Sequence, residues 1–146
     1  MKLSTRSRYG MRAILELAIA YGKGAVQVKS IAARQDISTK YLEQLISILK
    51  SASLVRSTRG PKGGYTLAKT PSDIKLSEVF FALEGSPIAM DCIEHPEFCP
   101  RCADCVTRQV WATMQQAILN VLDEITLQDL ADKAKNTDEQ NIIYQI

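Results

Sequence analysis

The chain has 146 residues and a formal net charge of +2, from 18 Lys and Arg against 16 Asp and Glu. That length builds an ordinary hydrophobic core for one domain plus an appendage, which removes any need for disulfide staples. The small total conceals a division: residues 1–70 hold 13 basic and 3 acidic side chains, a net of +10, whereas residues 71–146 hold 5 and 13, a net of −8. A basic half joined to an acidic half is expected when one part meets a polyanion, nucleic acid or an anionic membrane, and the other does not.

The opening MKLSTRSRYGMRAILELAIAY sets Arg12 and Glu16 inside its apolar stretch, so it has neither a secretory h-region nor a membrane span. The expected setting is the cytoplasm, with reduced thiols. Met11, Ile14, Leu15, Ala18 and Ile19 recur at helical spacing and Gly22 and Gly24 stop the helix, giving an amphipathic helix whose stripe belongs to a core. Val26 and Val28 alternate in a short extended piece, after which Ser30 is expected to cap a brief helix, IAARQ, ending at Asp36-Ile37. Ser38 caps the next, TKYLEQLISILKSA, in which Leu42, Leu45, Ile46 and Leu49 form the buried stripe and Lys40, Glu43, Gln44 and Ser47 face elsewhere. Two short helices joined by a tight turn make a helix-turn-helix over about residues 28–51.

LVRSTRGPKGGYTLA follows, with β-prone arms Leu54-Val55 and Tyr65-Thr66-Leu67 around the tip Arg59-Gly60-Pro61-Lys62-Gly63-Gly64. A basic-tipped hairpin over about 54–68, directly after a helix-turn-helix, predicts a winged helix with its second helix in the DNA major groove. Many solvated hairpins have such a turn; its position after the helix-turn-helix favours DNA over a membrane. The glycines, Gly60 among them, admit close backbone approach to phosphates, and Arg59 and Lys62 supply charge. In the reading helix Gln44 suits adenine, Lys40 suits guanine or phosphate, and Glu43 suits the cytosine amino group. Glu43 has two readings: a penalty against sites without that cytosine, or a surface acid paired with Lys40.

In the acidic half, TPSD links to LSEVFFALEG, where Val79, Phe80 and Leu83 suit burial and Gly85 a C-terminal cap. All four cysteines then fall within fourteen residues, Cys92-x6-Cys99-x2-Cys102-x2-Cys105, in CIEHPEFCPRCADC. Pro96 and Pro100 predict an irregular exposed loop, and thiolates so spaced suit zinc or an iron-sulfur cluster; disulfides here would close only tiny rings. Beyond it Val106, Val110, Trp111, Met114, Ile118, Val121, Leu122 and Ile125 form a long helical stripe. It is expected to pack on its copy in a homodimer, setting two reading helices on a palindromic operator; the alternative is packing on the first helix of its own chain. Thr126-x-x-Asp129 opens a short helix through Ala134, and KNTDEQNIIYQI is expected to be disordered. The fold class is thus mainly α, a winged helix-turn-helix DNA-binding domain over 1–85, a cysteine-rich cluster-binding loop over 86–105, a long dimerisation helix and short following helix over 106–134, and a tail over 135–146.

Several of these segments resemble one family: MKLSTRSRYGMRAILELA, DISTKYLEQLISILKSASLV, RGPKGGYTLAK, the cysteine loop and VWATMQQAILNVLDEITLQDL. Over residues 1 to about 130 the chain is similar to the iron-sulfur cluster regulator IscR and its winged-helix relatives, which include nitric-oxide-sensing and cysteine-metabolism repressors. YLEQL followed by RGPKGGY carries most of the specificity. The resemblance implies a [2Fe-2S] cluster on Cys92, Cys99 and Cys105, and DNA contacts from Lys40, Glu43, Gln44 and Arg59, with Glu43 helping to separate two operator classes. With Ser38, Tyr41, Gly60 and Lys62 these complete the candidate DNA-binding set.

Two departures matter. The interval from Cys92 to Cys99 is one residue longer than the family's best-known pattern, and the histidine expected three residues after the last cysteine is Arg108. Arginine does not ligate iron, so the fourth ligand falls to the extra Cys102, to His95 or to a group elsewhere; Cys102 is preferred, against a spare thiol, and His95 otherwise reads as a solvated loop residue. The function implied is a transcription regulator, repressor or activator, that senses cluster status and controls cluster assembly genes. Alternatives are a nitric-oxide, redox or cysteine-metabolism repressor, or a zinc-stapled DNA-binding protein without sensing. The sequence offers no acid, base and nucleophile constellation, so it is not read as an enzyme.

Overall fold

In the computed structural model, which describes residues 2–144, the chain is mainly helical with one small antiparallel hairpin. Helices α1 (Thr5–Ile19), α2 (Val28–Gln35) and α3 (Thr39–Ser51) precede strands β1 (Val55–Thr58) and β2 (Gly64–Leu67). Then come α4 (Leu76–Glu84), the single turn α5 (Asp91–Glu94), α6 (Val106–Glu124) and α7 (Leu127–Tyr144). The hairpin pairs Val55 with Leu67 and Thr58 with Gly64.

Local chemistry sets most boundaries. Ser38 Oγ accepts the Tyr41 amide at 3.1 Å and Ser4 Oγ accepts the Ser7 amide at 3.1 Å, satisfying donors that the first helical turn leaves unpaired. Gly85, at φ 84°, closes α4. Asp129 accepts the Thr126 amide at 2.8 Å while Thr126 Oγ1 accepts the Asp129 amide at 3.2 Å, the reciprocal box expected at the start of α7.

Two segments differ from the sequence-based expectation. Helix α2 starts at Val28, three residues before the expected Ile31 and with Ser30 inside its first turn, because the extended piece stops at its Gln27 cap: only Val26 joins the hairpin, exchanging two backbone hydrogen bonds with Tyr65, at 2.9 and 2.8 Å. The expected disordered tail is instead helical through Tyr144, since KNTDEQN holds neither glycine nor proline to interrupt α7. Gln145 and Ile146, also assigned to that tail, lie outside the described residues.

The core is one cluster. Ala13, Ile14 and Leu17 of α1 meet Leu42, Leu45, Ile46 and Leu49 of α3, Val79 and Leu83 of α4, and Leu127 and Ala131 of α7. Gly10 lets α4 approach: a Cβ there would lie 2.5 Å from Leu83 Cδ2. Backbone bonds from Leu76 to the Ile125 carbonyl (2.9 Å) and from Leu127 to the Ile74 carbonyl (3.0 Å) close the base of the α4–α6 pair. The cysteine loop is therefore an excursion between two helices fixed at their far ends.

At its near end α4 is latched to the start of α1. The Ser4 hydroxyl donates to Glu84 Oε2 at 2.5 Å and the Ser7 hydroxyl donates to the same oxygen. These two hydroxyls, with Arg6 nearby, hold the Glu84 carboxyl below the usual carboxylate range against the opposing effect of burial. A depressed folded-state value contributes stability above the unfolded-state pKa and loses it as pH falls through the folded one. Glu84→Gln is therefore expected to lower the thermal midpoint by a few degrees at neutral pH, and the gap from wild type should close on acidification through that depressed value.

Candidate DNA-reading surface and cysteine loop

Helix α3 buries one face completely and offers the other to solvent. Leu42, Leu45, Ile46 and Leu49 are 0–1% exposed, which fixes the helix rotation so that Lys40, Glu43, Gln44 and Ser47 all lie on the exposed side. Among the described residues Glu43 has no ion pair with Lys40, and Lys40, Arg59 and Lys62 have no carboxylate within salt-bridge distance. Within the described residues these cations are unneutralised.

The other two α3 candidates have internal partners. The Ser38 oxygen is engaged in its cap, and Tyr41 is half-buried, edge-on to Tyr9 with ring centroids 6.3 Å apart. Arg12 covers the Tyr9 ring at 5.6 Å, so an α1 arginine extends the basic surface beside the start of α3. This pairing escapes sequence analysis because 32 positions separate Tyr9 from Tyr41.

The wing is held rigidly at its root. Val26 adds a bridge to Tyr65, and Lys50 Nζ donates to Ser57 Oγ at 3.0 Å, joining the end of α3 to β1. At the tip Gly60 has φ 113°, and a Cβ on Gly63 would meet the Thr58 carbonyl oxygen at 2.5 Å, so the turn requires glycine at both positions. Arg59, Gly60 and Lys62 are all exposed there.

The cysteine loop contains α5 and a 3-10 turn at Pro96–Phe98, and all four thiols are half-exposed and unpaired. Its entry is tied to α6 by Gln115 Nε2, which donates to Ser86 Oγ at 3.0 Å. Cys102 Sγ donates to the Cys92 carbonyl at 3.4 Å, and burial with the neighbouring Cys99 and Cys92 thiols pushes its pKa up, Arg108 opposing. Cys105, the residue preceding α6, is drawn the other way. Its thiol lies 3.3 Å from Thr107 Oγ1, and chiefly that hydroxyl, with backbone amides at the start of α6, holds its pKa down. His95 Nδ1 stands 3.4 Å from Glu97 Oε1 and its ring packs at 5.3 Å against Phe98.

Four soft thiolate donors fit an iron-sulfur or zinc centre by their chemistry. Among the described residues, though, no three Cys, His, Asp or Glu side chains stand in one coordination sphere, Cys105 being turned toward Thr107. The loop would have to draw inward to use all four. Helix α6 presents a second unfilled requirement, since none of its residues is fully buried and Val106, Val110, Trp111, Met114 and Val121 are exposed. Ile118 and Leu122 lean toward α1 and Phe80 across an apolar groove. Among the described residues no helix is long and apolar enough to cross a membrane.

A helix-turn-helix with an unneutralised basic wing, carrying an appended thiol loop, defines a winged-helix DNA-binding transcription regulator. The chain belongs to the Rrf2 family, described as "Iron-dependent Transcriptional regulator", whose pattern matches residues 3–133. It is 45% identical over 130 residues to Protein rrf2 of Nitratidesulfovibrio vulgaris, spanning 89% of this chain and 87% of that one. It is 38% identical over 144 residues to the HTH-type transcriptional regulator CymR of Bacillus subtilis, spanning 99% of each. The solved structure of T. potens IscR is similar with a TM-score of 0.77 at 42% identity, over 94% of this chain and 90% of that one. The family and the CymR relative are named as transcriptional regulators, in keeping with a DNA-binding protein that is not an enzyme.

Binding of duplex DNA should weaken steeply with salt, and Lys62→Ala should flatten the slope of log K against log salt by about one unit in a gel-shift series.

Proposed function

We propose that this regulator binds palindromic operators as a homodimer, carries a [2Fe-2S] cluster on Cys92, Cys99, Cys102 and Cys105, and controls iron-sulfur cluster assembly genes according to cluster supply. One observation carries the proposal: all four thiols sit on a loop whose entry is latched to α1 through Glu84 and to α6 through Ser86, and whose exit is the first residue before α6. When bound, such a cluster supplies a one-electron centre sensitive to oxidants and nitric oxide. Cys102 is the favoured fourth donor because its sulfur already lies against the Cys92 backbone, 3.4 Å from the carbonyl oxygen, whereas His95 is engaged with Glu97 and Phe98.

The remaining roles belong to the exposed side chains. Lys40, Gln44 and Glu43 read base edges, Arg59 and Lys62 contact phosphates beside the Gly60 backbone, Ser38 fixes the start of α3, and Tyr41 orients it through Tyr9. Drawing the loop inward strains the Ser86–Gln115 and Glu84–Ser4/Ser7 contacts, and α1 carries that bias to α3, shifting the population of DNA-competent geometries. The Val110, Trp111 and Met114 face of α6 is covered by the partner copy, which spaces two reading helices on one operator.

A second reading has its own support. Arg108 replaces the expected histidine and the donors are not preassembled, which fits a repressor without a cluster, or with zinc, and the similarity to CymR spans both chains almost completely. Anaerobic purification, visible absorption and iron, sulfide and zinc analysis separate these. The expected outcome is a coloured protein with iron and sulfide in equal amounts, lost in Cys102→Ala; colourless zinc-loaded protein that reconstitution cannot convert overturns the cluster. In gel shifts Glu43→Ala is expected to let the cluster-free protein bind operators it otherwise refuses, and unchanged preference removes Glu43 from discrimination.

A further inference from the structure

The side chain at the position of the missing histidine is built into the thiol loop. Arg108 is half-buried, and its Nε donates to the Cys92 carbonyl at 2.7 Å across sixteen residues. The same oxygen accepts Cys102 Sγ at 3.4 Å. Sequence explains why this carbonyl is available: its helical partner four residues on is Pro96, which has no amide hydrogen. A carbonyl has two lone pairs, and here a guanidinium and a thiol take them. Among the described residues Arg108 has no carboxylate within salt-bridge distance, although Asp91, Glu94, Glu97 and Asp104 belong to the same loop.

We infer that Arg108 is the positioning residue of the cysteine loop, pinning Cys92 and Cys102 together against the first turn of α6 and setting a permanent positive charge beside their sulfurs. A charge-assisted bond to a carbonyl that has no backbone donor is stronger than a neutral one, so the tether holds α5 to α6 whether or not an ion is bound. The second half of the inference, compensation of a four-thiolate cluster, rests on the function proposed above. One electron added to such a centre increases its negative charge, and a fixed guanidinium favours that reduced form.

The two halves are tested on the full chain. In chelator-treated, reduced protein, Arg108→Ala is expected to lower amide protection across residues 92–104 and to speed maleimide labelling of Cys102 several-fold, compared as the rate per thiolate from a pH series because the lost guanidinium also disfavours ionisation of that thiol. Equal Cys102 labelling in Arg108→Ala and wild type overturns the tether. In protein reconstituted with iron and sulfide, Arg108→Gln should lower the midpoint potential and Arg108→Lys should retain it, a contrast that a packing role alone does not produce. Equal potentials in wild type, Lys and Gln forms overturn the charge role. A chain that accepts no cluster yet keeps the labelling contrast overturns the proposed sensor and the charge role while supporting the tether.

Discussion

The close crossing of α1 and α4 is the constraint on which the rest of the structure depends. It exists because position 10 has no side chain, so Leu83 fills the space that a Cβ would occupy. That contact aligns the end of α4 with the start of α1 and so brings Glu84 to Ser4 and Ser7. The same face of α1 carries Ala13, Ile14 and Leu17 into the core shared with α3. One helix therefore touches the root of the thiol loop at its first turn and, at Tyr9, the start of the reading helix. These contiguous packed contacts are the route along which the proposed coupling between loop and reading helix runs.

The thiol loop and the reading helix are held in contrasting ways. Helix α3 is fixed by four buried aliphatic side chains, and core packing of that kind changes little without large cost. The loop has no buried residue between Asp91 and Cys105 and is fastened by a few polar contacts to Ser86 and Cys92. Segments with few buried apolar contacts occupy the low-stability end of a structure, where a bound group changes geometry most easily.

What the sequence made legible is what local chemistry decides. The caps at Ser38 and Gly85, the Thr126–Asp129 box, the apolar stripe of α3 and the breaker-rich wing all follow from residues within a few positions of one another. Less legible were features set by distant partners. Helix α2 begins early because Tyr65 takes Val26 into a bridge, and α7 outlasts its apolar pattern because its first turns, Leu127 and Ala131, are anchored in the core. In the candidate site, the exposed set on α3 could be drawn from periodicity, whereas the Tyr9–Tyr41 pair and the Arg108–Cys92 bond join residues that no local pattern connects. Arginine at 108 reads in the sequence as a lost ligand; only the fold reveals the carbonyl it serves.

The bridge between Val26 and Tyr65 has a consequence for the proposed operator. By tying the hairpin to the strand-like lead into α2, and with Lys50 bonded to Ser57, it leaves the wing little freedom to swing relative to the groove-inserting helix. A stiff caliper of this kind obliges the duplex to do the adjusting. Step flexibility and minor-groove width in the uncontacted base pairs between helix and hairpin then enter the binding energy, so discrimination extends to bases that no side chain touches.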